Sequence, residues 1–242
     1  MLGGMHVARS FAAFGAVALI GLACAATPPP PSHGRGTLFG ELRLVPHPGV
    51  TMPDASDASY SDRRLRDARI FDYSQPGFAV VYLEGAPAQG ERVDLSIRAN
   101  DFETRMEPRW VALAAGGVVA VRNTTAEPHT VSCPSLSLVA RVGAGESLEI
   151  LVKTAGAHSV FLLDRTQIES GVFAAPGPYA VLTRDPRFEL RDVAPGAQQL
   201  RAWHPRLPPV TRSVDVAADT VTRMDLEMGV GLGPQEASDA SH

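Results

Sequence analysis

Residues 118–133 have the sequence VVAVRNTTAEPHTVSC, in which two apolar runs flank a polar segment that contains a proline. Val118–Val121 and His129–Cys133 both have the length of a β-strand, and the segment between them has the composition of a loop. Just upstream, Gly116-Gly117 marks a turn after the apolar run Trp110–Leu113. This stretch therefore predicts consecutive short strands joined by tight connections.

The same pattern continues in both directions along the chain. Short runs with a period of two recur between Gly, Pro, Asp and Asn, and no long segment repeats apolar residues at the helical spacing. The further runs that we predict as strands are Leu38–Leu44, Phe78–Leu83, Val93–Ile97, Leu148–Val152, His158–Leu163, Ile168–Phe173, Phe188–Leu190, Leu200–Ala202, Val214–Val216 and Met224–Met228. A helical turn or two is expected only at 62–70, and loops are expected at 46–61 and from Gly229 onward. The sequence thus predicts an all-β protein.

The first 26 residues have the features of a secretory signal peptide. Arg9 is the only Arg, Lys, Asp or Glu before residue 35, and the apolar run Phe11–Ala23 is too short to span a membrane comfortably. A lipoprotein signal acylated at Cys24 is the alternative, although Gly21 stands where such signals usually have Leu. We therefore expect a periplasmic or secreted protein that has no membrane span in its mature chain.

Composition excludes several classes of protein. The 242 residues include 22 basic and 26 acidic side chains, and this balance argues against a nucleic-acid partner. Only two cysteines are present, one of them in the leader, so a disulfide framework and a Cys-rich zinc module are excluded. The sequence contains no nucleophile elbow, P-loop or metalloprotease helix motif, and we predict that the protein is not an enzyme.

The histidines and Cys133 are the candidates for metal chemistry. His129 and Cys133 are four residues apart, which places them on one face of a strand about 13 Å apart. A metal needs its ligands within about 2.0–2.3 Å, so these two cannot hold one ion, and Cys133 is predicted to be a buried small hydrophobe. His158 is predicted to lie at the surface where a strand begins. The histidines expected in solvated loops or the tail are His33, His47 and His242.

Three groups of motifs resemble the periplasmic cupredoxin-like proteins often labelled methylamine utilization proteins. The groups are Arg66–Glu84 with Ile70-Phe71-Asp72 and Val80-Val81-Tyr82-Leu83-Glu84; Val118–Asn123 with His129-Thr130-Val131; and Phe188-Glu189-Leu190 with Val193-Ala194-Pro195-Gly196 and Trp203-His204-Pro205. The likeness covers residues 37–228. It implies a plastocyanin-like Greek-key sandwich joined to a carboxypeptidase-regulatory-like, or transthyretin-like, β-sandwich.

The order of the motifs suggests that one sandwich is inserted into the other. Residues 37–90 and 176–230 would form the regulatory-like domain, and 91–175 would form the cupredoxin-like domain. A Pro-rich linker at 27–36 and a flexible tail at 231–242 would flank them. A simple tandem of two domains, split near 175, is the alternative.

The family resemblance also implies a position for a blue-copper site. Such a site takes an upstream His and then a Cys, a His and often a Met from a late loop, because thiolate with imidazole selects copper. His129 matches the upstream His, whereas the three later positions fall on Leu163, Thr166 and Glu169. None of these is a copper ligand of the required kind. We therefore expect no cofactor, with His129 as the relic of a metal site; copper is the runner-up.

What remains of the site supports three hypotheses about function. His129, Thr166 and Glu169 could form a polar pocket at one end of the sandwich, while Trp203 and His204 are expected to be a packed Trp beside an exposed His available for a surface contact. The leading hypothesis is a binding or structural role toward a protein or another partner in the cell envelope. The alternatives are a copper-binding electron carrier and a carbohydrate or cell-wall binding module, the latter by analogy of fold alone.

Overall fold

The computed structural model describes residues 32–47, 72–85, 91–99, 103–165 and 169–230. Within these ranges the chain forms seventeen strands and one 3₁₀ turn but no α-helix, so the predicted all-β fold class is confirmed. None of these residues belongs to a helix long and apolar enough to cross a bilayer. The signal peptide, the start of the linker, the helical turn at 62–70 and the tail are predictions that lie outside the described ranges.

The strands are short and closely spaced, as the alternating sequence predicts. In chain order they are β1 (Gly36–Val45), β2 (Ala79–Leu83), β3 (Arg92–Ala99), β4 (Thr104–Glu107), β5 (Trp110–Ala114), β6 (Val118–Asn123), β7 (His129–Cys133), β8 (Leu138–Val142), β9 (Ser147–Leu151), β10 (Gly156–Leu162), β11 (Glu169–Ala175), β12 (Tyr179–Leu182), β13 (Arg187–Val193), β14 (Gly196–His204), β15 (Leu207–Val216), β16 (Val221–Arg223) and β17 (Leu226–Gly229). The 3₁₀ turn, Pro134–Leu136, joins β7 to β8.

The first and last strands of the described chain form one sandwich, here called the outer sandwich. In one sheet β1 pairs antiparallel with β13 on one side and parallel with β16 and β17 on the other. The second sheet has the strand order β12-β2-β14-β15. The largest fully buried side chains of the outer sandwich are Leu38, Leu42, Leu83, Leu190, Leu200, Leu226 and Met228.

Strands β3–β11 form the other sandwich, here called the inner sandwich. Its sheets have the orders β4-β3-β6-β9 and β5-β11-β10-β7-β8, so the chain passes repeatedly from one sheet to the other in Greek-key fashion. Its largest fully buried side chains are Leu95, Ile97, Leu113 and Leu162. Since β7 and β10 are antiparallel neighbours, the start of β7 lies beside the end of β10.

Aromatic side chains join the two sandwiches, and we call four of them, Phe78, Trp110, Phe173 and Trp203, the seam. Phe78 and Trp203 come from the outer sandwich, and Trp110 and Phe173 come from the inner one. Trp203 stacks on Phe173 with ring centroids 4.6 Å apart, and Trp110 meets Trp203 edge-on at 5.1 Å. Trp110 fits flat on the sheet because Gly171 has no side chain, since a Cβ there would lie 1.9 Å from the indole ring. Such offset and edge-on contacts stabilise aromatic clusters beyond the area that they bury.

Glu91 and Tyr179 hold together the two points where the chain crosses between the sandwiches. The Tyr179 hydroxyl donates a hydrogen bond to one Glu91 carboxylate oxygen, and the backbone N–H of Ala114 donates to the other at 2.6 Å. Burial, together with this hydrogen bond, raises the pKa of Tyr179. Nearby, the Leu83 N–H donates to the Pro178 carbonyl at 3.0 Å, so both crossings are fixed by direct hydrogen bonds.

The single strand predicted at Met224–Met228 is wrong, because the structure has two short strands there, β16 and β17. The Asp225 carboxylate accepts the backbone N–H of Glu41 at 3.0 Å and so replaces a main-chain acceptor between the two strands. The backbone also approaches very closely at this point, since a Cβ on Gly40 would lie 1.9 Å from the Met224 carbonyl oxygen.

Candidate functional site

His129 lies at the start of β7 and is only 2% exposed. The register of β7 against β10 pairs Val131 with Leu162, and the Leu163 N–H donates to the Thr130 carbonyl at 2.9 Å. Asp164, two residues after the end of β10, is thereby brought opposite His129. Its Oδ2 atom lies 2.7 Å from the His129 Nδ1 atom, and its Oδ1 atom accepts the Thr130 N–H at 3.2 Å.

The second ring nitrogen of His129 is also engaged. Its Nε2 atom lies 2.9 Å from the Thr125 hydroxyl oxygen. An ionised carboxylate only accepts hydrogen bonds, so Nδ1 of the neutral ring carries the proton toward Asp164. The Thr125 hydroxyl has one proton to donate, and the lone pair on Nε2 is one of three acceptors within its reach, with Asn123 Oδ1 at 2.8 Å and the Glu127 carbonyl oxygen at 2.9 Å. Both nitrogens through which an imidazole could bind a metal are therefore occupied by protein groups.

Asn123 fixes the loop that carries Thr125. Its side chain is fully buried, and its amide nitrogen lies 2.7 Å from the Glu127 carbonyl oxygen and 3.0 Å from that of Gly143. Its side-chain oxygen accepts the backbone N–H of Thr125 at 2.9 Å. A buried amide must satisfy its donors and acceptor, and Asn123 does so by tying two connections together. Thr125 is thus held where it meets the His129 ring.

The charge on Asp164 suits this arrangement. Partial burial opposes ionisation, but hydrogen bonds from the His129 ring and the Thr130 backbone outweigh it and lower the pKa of Asp164 below its ordinary value of 3.8. The side chain is ionised at neutral pH and keeps 38% of its surface exposed. We call Asn123, Thr125, His129 and Asp164 the His129 network.

The other positions aligned with copper ligands lie elsewhere or outside the described ranges. Leu163 is 47% exposed, and Thr166 is not among the described residues. Glu169 begins β11, where its carboxylate accepts a hydrogen bond from the Ser159 hydroxyl at 2.6 Å. Glu169 also lines an open groove along β3 and β4 with Ser96 and other polar residues. The residue that the structure places against Nδ1 of His129 is Asp164.

Cys133 is completely buried and unbridged, as predicted. It lies at the opposite end of β7 from His129, with its Sγ atom 3.6 Å from the Ser135 hydroxyl oxygen. That hydroxyl in turn lies 2.8 Å from Nδ1 of His158, whose Nε2 atom is 2.7 Å from the Thr154 carbonyl oxygen. The predicted surface position of His158 is wrong, because the side chain is 5% exposed. The 3₁₀ turn after β7 brings Ser135 back onto the ring.

The predicted exposed position of His204 is also wrong. The side chain is 6% exposed, and its Nδ1 atom accepts the backbone N–H of Arg206 at 3.0 Å. Burial lowers the pKa of His204 to about 4. Trp203 packs in the seam against Phe173, where its ring contributes to the contact between the sandwiches.

The residues that the structure describes around His129 do not make up the ligand set of a type 1 copper site. In the described part of the chain, no three His, Cys, Asp or Glu side chains are grouped so that they could hold a metal ion. The aliphatic Leu163 stands at the position aligned with the thiolate, and the nearest polar partner of His129 is a carboxylate. Thiolate with imidazole is the set that copper of this type requires.

Solved structures similar to part of this chain are cupredoxins. The purple cupredoxin from Nitrosopumilus maritimus is 12% identical and covers 34% of this chain and 98% of its own, with a TM-score of 0.31. Amicyanin from Paracoccus versutus is 15% identical and covers 39% of this chain and 96% of its own, with a TM-score of 0.31. Pseudoazurin from Hyphomicrobium denitrificans is 14% identical and covers 35% of this chain and 75% of its own, with a TM-score of 0.30. No protein-family profile matches the chain, and neither does any curated protein sequence.

Proposed function

We propose that this protein is a non-enzymatic binding or structural module of the cell envelope, in which the copper-ligand position His129 has become part of a hydrogen-bond network. The observation that carries the proposal is the pairing of both His129 ring nitrogens, Nδ1 with Asp164 and Nε2 with Thr125. A metal could bind this ring only after one of these two hydrogen bonds was broken. Breaking one of them would leave a buried polar group without a hydrogen-bond partner, which destabilises the folded protein.

The position of Cys133 supports the same proposal. Cys133, the thiol in the described part of the chain, lies at the far end of β7, fully buried beneath the 3₁₀ turn. Bringing its sulfur and a His129 nitrogen within about 2.0–2.3 Å of one ion would require β7 to leave both of its neighbouring strands. Those neighbours are β8 and β10.

The order Thr125–His129–Asp164 is that of a nucleophilic triad, but its surroundings favour a structural role. The Thr125 hydroxyl lies 2.8 Å from the Asn123 side-chain oxygen and 2.9 Å from the Glu127 carbonyl oxygen as well as near His129. A triad base takes the proton of the nucleophile itself, whereas the single Thr125 proton has two other acceptors in reach that hold the hydroxyl within its own loop. These contacts support the non-enzymatic part of the proposal.

Thermal unfolding in the presence of Cu(II) tests the proposal. Tight binding to the folded state would stabilise it by several kcal/mol, roughly, at excess metal. We expect the full chain to gain no more thermal stability from copper than His129→Ala gains. A copper-dependent increase in Tm that both His129→Ala and Cys133→Ser abolish would instead favour the copper-binding electron carrier. An increase abolished by His129→Ala and Glu169→Gln, without colour, would favour a weak site that lacks the thiolate.

The proposed location in the envelope has its own test. The support comes from residues 1–26, whose single Arg and short apolar run are typical of a secretory signal peptide. Mass spectrometry of the native protein should find an N-terminus at or near Ala26 or Thr27. A diacylglyceryl group on Cys24 would favour the lipoprotein, and a retained leader would contradict both.

A further inference from the structure

His204 and the seam are adjacent in the structure. His204 ends β14 directly after Trp203, and it packs against the loop before β2. The backbone carbonyl of Pro76 in that loop accepts a hydrogen bond from the His204 ring. Two residues later, Phe78 stacks on Trp110 with ring centroids 6.0 Å apart. One buried imidazole therefore joins two segments that each supply a ring to the seam.

The two hydrogen bonds of His204 require a neutral ring. Nδ1 accepts the backbone N–H of Arg206 at 3.0 Å, so the proton of the neutral ring is on Nε2 and points to Pro76. A proton added to Nδ1 would face the Arg206 N–H, and two donors cannot share a hydrogen bond. The new charge would also be buried in a side chain that is 6% exposed.

We propose that His204 is an acid-sensitive latch on the seam, whose protonation breaks the hydrogen bond from Arg206 and releases Trp203 and Phe78 from their packing between the sandwiches. This inference concerns the contact between the sandwiches and is independent of the proposed function. In the open form, in which Trp203 and Phe78 have left the seam, the His204 ring is exposed to water and can carry the charge. In the closed form the seam is packed as in the structure.

The groups around His204 do little to offset a positive charge on it. The charged group on its own turn is Arg206, whose positive charge opposes protonation. In the described part of the loop that carries Pro76, from residue 72 onward, the titratable groups are Asp72 and Tyr73, and the Asp72 carboxylate already accepts two hydrogen bonds from Ser74. From the flanking strands β15 and β2 the neighbours are apolar: Leu207 pairs with His204 itself, and Val80 pairs with Trp203.

The pH range follows from the two states of the ring. The folded protein holds the pKa of His204 near 4, and a solvated histidine has a value of 6.5. The open form therefore binds one more proton than the closed form between these values. The ratio of open to closed molecules should rise by about tenfold per pH unit as the pH falls through this window.

Intrinsic fluorescence can test the proposal directly, because the chain has only two tryptophans and both belong to the seam. We expect acrylamide quenching of the full chain to increase between pH 6.5 and about 4 while the far-UV circular dichroism stays unchanged. His204→Asn should abolish this increase, since its side-chain oxygen can still accept the Arg206 N–H and does not titrate. His158→Asn, a matched change at a buried histidine whose ring contacts Ser135 and Thr154 and forms no hydrogen bond with the seam, should retain it.

Three results would overturn the proposal: quenching that changes only when the circular dichroism collapses, an increase that persists in His204→Asn, or an increase that His158→Asn abolishes equally. Should His204→Asn fail to fold, the NMR titration of the His204 ring in the unaltered chain decides. The midpoint of the ring titration must coincide with that of the quenching curve, and separate midpoints would contradict the latch.

Discussion

The Asp164 carboxylate lies 2.7 Å from Nδ1 of His129, although the two residues are 35 positions apart in the sequence. The antiparallel register of β7 and β10 brings them together. This hydrogen-bonded pair occupies the end of the inner sandwich where the family resemblance implies a metal. It joins a buried ring to a carboxylate that is partly in water, and its consequences for stability can be measured.

Replacing Asp164 by Asn should destabilise the protein by about 1–2 kcal/mol, because the buried His129 ring loses a charged acceptor and keeps at best a neutral one. Urea unfolding, followed by circular dichroism, measures this change in the free energy of unfolding. Asp94→Asn is the matched control, since that carboxylate is 78% exposed and lies 3.8 Å from the Arg92 side chain at the surface. A loss in the control as large as that in Asp164→Asn would contradict a special role for the His129 network.

The contribution of Asp164 should disappear in acid. Its pKa is lower in the folded protein than its ordinary value of 3.8, so the folded state favours the ionised form. The stability that it contributes is fully present above pH 3.8 and is lost as the pH falls through the folded value. The unfolding free energies of the unaltered chain and Asp164→Asn should therefore converge below pH 3.8. A difference that stays constant or widens in acid would show that the carboxylate is not the stabilising form.

Replacing Gly171 by Ala should loosen the seam. The added Cβ would lie 1.9 Å from the Trp110 ring, which must move away from Phe78 and Trp203. Overpacking of this kind costs about 1–3 kcal/mol, and the tryptophan emission should change with it. Gly85→Ala is the control, because nothing lies within 4 Å of a Cβ at that position. Equal effects in both variants would contradict the close contact between Gly171 and Trp110.

The sequence predicted the fold class because strand signals are local. The alternation at Val93–Ile97 and the apolar run at Phe78–Leu83 each identify a strand without reference to the rest of the chain. Strands β4, β8 and β12 are not predicted: Thr104–Glu107, Leu138–Val142 and Tyr179–Leu182 lie on sheet edges and lack a clear alternation of apolar and polar residues.

The contact between His129 and Asp164 cannot be predicted from local sequence patterns. Asp164 follows directly on a predicted strand, but only the register of β10 against β7 places it opposite the ring, and register is a property of the folded sheet. The burial of His158 and His204 depends on turns that fold back over them, at Ser135 and Arg206. An isolated His at a strand end gives no local signal of such a turn.

The visible absorption spectrum of the full chain with one equivalent of Cu(II) tests the central claim most directly. An intense charge-transfer band requires a bond between copper and the thiolate of a cysteine, and Cys133 lies at the opposite end of β7 from His129. With both His129 nitrogens paired to Asp164 and Thr125, we expect no such band in the unaltered chain. An intense band that is lost in both Cys133→Ser and His129→Ala would contradict the account, because it would place both residues on one copper ion.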